Sequence, residues 1–133
     1  ALRNFELAGL SFKLYKGLSP SCSSSLVEHA RVSLIADLAT DLGYIPFLAS
    51  KFVYQVFSDT PLVLVTEKGS PAHRFFDTYG EGAGLFFAEG HSVSSVMNAI
   101  RRALDSGHVF DRTKLRDEFT RQRISDAFEK VVS

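Results

Sequence analysis

The chain has 133 residues, with fifteen basic and fifteen acidic side chains and a 45% hydrophobic composition. That is the size of one domain, with enough apolar residues to build a core. Balanced charge argues against a general nucleic-acid binder, which needs a basic surplus to neutralise phosphates.

Cys22 is the single cysteine. An internal disulfide and a cysteine-based zinc site are therefore both closed to the chain, and a reducing, cytoplasmic compartment is the expectation. No apolar run approaches the roughly 20 residues of a membrane-spanning helix. The N-terminus, Ala1-Leu2-Arg3-Asn4-Phe5, has neither a secretion-signal core nor an initiating Met. It reads as a processed end or as a chain starting mid-protein.

Two extended runs come first. Phe5 to Ala8 is short and ambiguous, whereas Leu10 to Tyr15 alternates apolar and polar residues as a strand with one buried face does. Leu18 to Ser25 holds one Pro and five Ser and reads as a loop, with Ser24 or Ser25 capping a short helix that runs through His29 or Ala30. Val32 to Leu38 reads as a buried strand ending near Asp37. A loop from Ala39 to Phe47 follows. Leu48 to Ser58 then places Leu48, Phe52, Val53, Val56 and Phe57 on one helical face.

Pro61 to Thr66 is the clearest buried strand, since Pro is tolerated at a first strand position. Ser70-Pro71 is a helix start, a capping hydroxyl followed by Pro at the first helical position. Gly80 to Gly84 is loop and Leu85 to Ala88 a short strand. Val93, Val96, Met97, Ile100 and Leu104 share one helical face. From Asp111 the chain is charged and helical, and its apolar positions keep to one face only if the helix breaks near Arg121 to Arg123. The basic residues Arg112, Lys114, Arg116, Arg121 and Arg123 read as a solvated face. Apolar strands alternating with helices predict a single α/β domain over residues 1–133, with a mostly parallel sheet covered on both sides.

In such sheets ligands bind beyond the carboxyl ends of the strands. The loop Ala39 to Phe47 is the longest there, and it leads into a helix whose first turn carries Ser50 and Lys51. A hydroxyl and an ammonium beside free helical N–H groups suit a phosphate; the plain alternative is a solvated Ser-Lys pair. His29, His73, His91 and His108 lack metal spacing, and no Walker loop or Gly-x-Gly-x-x-Gly follows a strand. No metal or cofactor is implied. Asp37 could serve a ligand, a magnesium ion or a turn.

Pro46, Phe47, Ser50, Lys51 and Pro61 fall in the register Pro-Phe-x-x-Ser-Lys-x-x-Glu-Tyr-x-x-x-Gly-x-Pro, followed by the apolar strand Leu62 to Val65. Downstream come Thr66, Gly69-Ser70 and a helix, then Gly82-Ala83-Gly84-Leu85-Phe86-Phe87-Ala88-Glu89-Gly90 and a second helix. This ordered set, roughly residues 25 to 130, resembles the C-terminal, donor-binding half of GT-B-fold glycosyltransferases.

The resemblance implies a Rossmann-like three-layer sandwich, and a nucleotide diphosphate sugar as ligand. Ser50 and Lys51 would meet the donor diphosphate. Gly43, Tyr44, Ile45, Pro46, Phe47 and Tyr54 would meet its sugar and nucleotide. Tyr54 stands where the family has a ribose-binding Glu, and a phenol cannot chelate a diol as a carboxylate does. Gln55 and Asp59 replace the family's Tyr and Gly. The family's basic Gly-Arg…Lys-Gly turn and its acceptor domain have no counterpart in the sequence.

The chain therefore reads as a fragment or truncated form of a two-domain enzyme, needing a separate N-terminal acceptor domain and showing little activity alone. Peripheral membrane association of such a parent stays open. The other reading is a non-catalytic interaction module with a degenerate donor site.

Overall fold

The computed structural model describes residues 2–7, 10–15, 17–38, 48 and 50–132. Strands β1 (Leu2–Leu7) and β2 (Leu10–Tyr15) form an antiparallel hairpin with Phe5 opposite Phe12. There follow α1 (Pro20–His29), β3 (Ser33–Asp37), α2 (Ser50–Val56), β4 (Leu62–Thr66), α3 (Pro71–Tyr79), β5 (Leu85–Glu89), α4 (Val93–Ser106), α5 (Thr113–Asp117) and α6 (Arg121–Val132). β3, β4 and β5 make a parallel sheet in that order.

Period-two side-chain alternation divides the core between the two faces of this sheet. Ile35, Leu62, Leu64 and Leu85 pack against Phe52 and Val56 of α2, Ala72 of α3 and Leu115 of α5. Val63, Val65, Phe86 and Ala88 pack against Ala99 and Ala103 of α4. The strand order explains the division. Two successive right-handed crossovers stepping the same way put α2 and α3 on one face, and α4 returns over the other. All five residues of β4 are buried. Each fully buried Leu or Val contributes about 1.5–3 kcal/mol, so β4 anchors the core. The domain is α/β with a small parallel sheet and helices, an arrangement consistent with a Rossmann-like fold.

Some expectations need correction. Ser21 to Ser25 is helical rather than loop, because Ser19 caps α1 by accepting from Cys22 N–H and Pro20 takes the first helical position. It is the signature seen again at Ser70-Pro71, where Ser70 Oγ accepts from His73 N–H at 3.2 Å. β3 is not buried throughout: it lies at the edge of the three-stranded sheet, so only Ile35 is buried and Leu34 is 44% exposed. The terminal helical stretch breaks at residues 118–120, between α5 and α6, rather than at Arg121 to Arg123.

Gly84 closes the turn into β5 at φ 71°, in the left-handed region that glycine enters freely. It also lies beneath the Phe110 ring, whose atoms would stand 2.7 Å from an added Cβ.

Candidate functional site

The parallel register ends with Asp37, Thr66 and Glu89 side by side at the carboxyl edge of the sheet. Behind Thr66 the backbone turns into α3 through a closed hydroxyl relay. Thr66 Oγ1 donates to Ser70 Oγ at 2.9 Å, and both residues are buried. Gly69 N–H donates to His73 Nδ1 at 3.0 Å, which leaves the ring proton on Nε2, 3.6 Å from Asp77. Glu67 and His91 approach to 3.4 Å, and Lys68 and Glu89 to 3.9 Å. Both pairs are largely solvated, so they order the loops more than they stabilise the fold.

The residues singled out in the sequence divide as follows. Gly43, Tyr44, Ile45, Pro46 and Phe47 lie outside the described residues, as does the rest of the loop Ala39 to Phe47. Ser50 opens α2, and Lys51 is exposed in its first turn. Tyr54, one turn on, is 55% exposed. Its hydroxyl is hydrogen-bonded to that of Ser24 on α1.

Lys51 and Tyr54 share a cleft of about 480 Å³ with Ser23, Val27, Leu34 and Gln55. Tyr54 also lines a second cleft between α1 and α2, about 700 Å³, with Val27, Glu28, Val53 and Phe57. The structure thus brings Lys51 and Tyr54 together, as i, i+3 spacing dictates.

No family model, curated protein or solved structure matches this chain. What the arrangement can do therefore rests on its own chemistry.

The residue that sequence reasoning placed wrongly is Arg112. It is not part of a solvated basic face but 2% exposed. Its guanidinium donates to main-chain carbonyls only: Ala83 at 2.7 Å, Ser58 and Thr60 at 2.8 Å, Gly84 at 3.0 Å and Gln55 at 3.3 Å. Arg116 adds bonds to the carbonyls of Val56 at 2.9 Å and Ser58 at 2.7 Å, and to Asp59 Oδ1 at 2.9 Å. Gln55 and Val56 belong to the last turn of α2 and Ser58 lies just beyond it, so the two guanidinium groups gather at that helix end. Cations there also meet the negative end of the helix dipole. The Phe110 ring packs 4.3 Å from the Arg112 guanidinium carbon.

Burial, and secondarily Arg116, push the Arg112 guanidinium down to about 10. The hydrogen bond and charge of Arg116 hold the Asp59 carboxyl below its usual range. Asp111 is likewise lowered, by the hydroxyl and N–H of Thr113. Only arginine offers five donors in a planar fork. The clamp fixes α2, and with it Lys51, to the start of β5. Arg112 leaves no sequence signal, because its acceptors are backbone oxygens 28 to 57 residues away.

Proposed function

We propose that this chain is the donor-binding half of a GT-B-type glycosyltransferase, taking a nucleotide diphosphate sugar. The observation that carries the reading is Lys51, an exposed cation on the helix that follows β3 in a parallel α/β sheet. It stands in the register that the resemblance gives to the donor diphosphate, with Ser50 beside it. In glycosyl transfer the bond from the anomeric carbon to the diphosphate breaks as the acceptor oxygen bonds to that carbon. Negative charge grows on the departing diphosphate, and a positioned ammonium stabilises it. Gly43 to Phe47 would supply backbone groups to the sugar and nucleotide. The acceptor would come from a second domain, and the isolated chain would bind without turning over.

Calorimetry with uridine and guanosine diphosphates and their sugars tests the reading. Binding that Lys51→Ala abolishes in a folded protein supports it; no heat with any of them rejects it.

A second reading, a non-catalytic interaction module, is favoured by one observation. The Tyr54 hydroxyl is engaged by Ser24, at the position where a donor site needs a free carboxylate for the ribose. Under this reading the same titrations are silent.

A further inference from the structure

Main-chain direction decides which groups of β3 remain to be paired. Ser33 N–H donates to the Pro61 carbonyl at 2.9 Å. Ser33, Ile35 and Asp37 therefore turn their N–H and C=O groups toward β4, and Val32, Leu34 and Ala36 turn theirs away from it. Among the described residues β4 is the one strand paired with β3, so this second row of donors and acceptors is open. Leu34 and Ala36 are also exposed. They lie on the α4 side of the sheet, in register with Val63 and Val65. Open edges are ordinarily blunted by Pro, Lys or a bulge. Ser33-Leu34-Ile35-Ala36-Asp37 carries neither Pro nor Lys. Its charge is Asp37, and exposed Arg31 stands just before the strand.

We propose that β3 is the interface of a two-fold dimer, in which the β3 strands of two copies of this chain pair antiparallel, centred on Leu34. In that register Leu34 exchanges N–H and C=O with Leu34 of the second copy, and Val32 exchanges with Ala36. All of these groups point outward, so hydrogen-bond parity and symmetry agree. Other registers of the same parity also satisfy the backbone. Only the one centred on Leu34 sets Arg31 opposite Asp37 of the second copy, at both ends of the interface. Arg31 and Asp37 have the same parity and so share a face. They form a non-hydrogen-bonded pair, the kind in which opposing side chains approach most closely. On the other face Val32, Leu34 and Ala36 of both copies make one apolar row, continuing the surface that α4 covers. Two three-stranded sheets become one, with an antiparallel junction of the kind that parallel sheets accept at an edge. The cleft that reaches Leu34 then ends against the second copy.

Light scattering or sedimentation of the full chain over a concentration series tests this. The expected mass at high concentration is twice 14.7 kDa. Arg31→Asp and Asp37→Arg should each return the chain to 14.7 kDa, by setting like charges opposite at both ends. Mixing the two variants should restore the doubled mass. The first variant is acidic at both positions and the second is basic at both, so opposite charges meet again at each end. As a check independent of substitution, amide exchange at Val32, Leu34 and Ala36 should slow as the parent chain is concentrated. A parent chain that stays monomeric overturns the proposal. So does a dimer indifferent to both charge reversals, a mixture that fails to recover, or exchange at these amides that ignores concentration.

Discussion

Arg112 donates to the carbonyl oxygen of Ser58 at 2.8 Å, joining the turn after α2 to a residue 54 positions later in the chain. The same side chain bonds Gly84 and Ala83 at the entry to β5. A single guanidinium thus stands where three separate segments converge.

Removing it should be among the most damaging single changes in the protein. Arg112→Leu takes a donor from five main-chain carbonyls, and those of Ala83 and Thr60 have no other among the described residues. The expected cost is about 3–5 kcal/mol, a large share of the 5–15 kcal/mol typical of a domain. Arg112→Lys keeps the charge but supplies fewer donors and no fork, so it should fall between the two. Urea midpoints for the three proteins test the order. A Lys variant as stable as the parent would show that charge, not the donor fork, is what matters.

Acid should weaken the fold through Asp59 and Asp111. Both carboxyls are held below 3.8 in the folded chain. A depressed carboxyl stabilises the fold above its unfolded value, and that contribution is lost as pH falls through the lower, folded value. Denaturation midpoints should therefore decline below pH 3.8. Asp59→Asn and Asp111→Asn should each flatten that decline while starting from a lower midpoint at neutral pH. An acid limb unchanged in both variants rejects the assignment.

Gly84 and Gly107 both have positive φ, but alanine should harm them for different reasons. Gly84, at φ 71° and ψ 25°, is left-handed helical, which costs alanine about 1 kcal/mol. Gly107, at φ 60° and ψ −139°, sits where essentially only glycine goes, at a backbone cost of about 1–3 kcal/mol. An added Cβ at Gly107 meets nothing within 4 Å, whereas at Gly84 it meets the Phe110 ring at 2.7 Å. Gly84→Ala should lose a further 1–3 kcal/mol, roughly, from overpacking. It should also disturb the ring beside Arg112. A double-mutant cycle of Gly84→Ala with Phe110→Leu that shows no coupling in thermal melts would dismiss the steric term.

Ser70→Ala removes the α3 cap and leaves the buried Thr66 hydroxyl without its acceptor. The expected loss is about 1–3 kcal/mol. Ser19→Ala removes an exposed cap at 3.3 Å and should cost about 0.5–1 kcal/mol. Thermal melts that rank the two the other way round would contradict the relay.

β4 and α4 were legible in the sequence because each declares itself locally, the first by an unbroken apolar run and the second by apolar steps of three and four. The start of α1 is not legible, for the opposite reason. None of its residues is buried, so it has no periodic face, and the cap Ser19-Pro20 was lost among neighbouring serines. β3 reads as a buried strand because composition does not reveal which strand lies at an edge. Within the candidate site, Lys51 reads from its place in the first turn of α2 and Tyr54 only from the register of the resemblance. Arg112 is not legible, since a carbonyl acceptor leaves no trace in the identity of the residue that owns it.

The position of the clamp also orders events during synthesis. Strands β1 to β5 and helices α1 to α4 have emerged by Gly107, yet the end of α2 gains its guanidinium donors only when Arg112 and Arg116 follow. A nascent chain halted at Gly107 would hold β3, β4 and β5 with the Val56 carbonyl at the end of α2 lacking its Arg116 donor. Emergence of residues 112–116 is then the step that joins the end of α2 to the entry of β5.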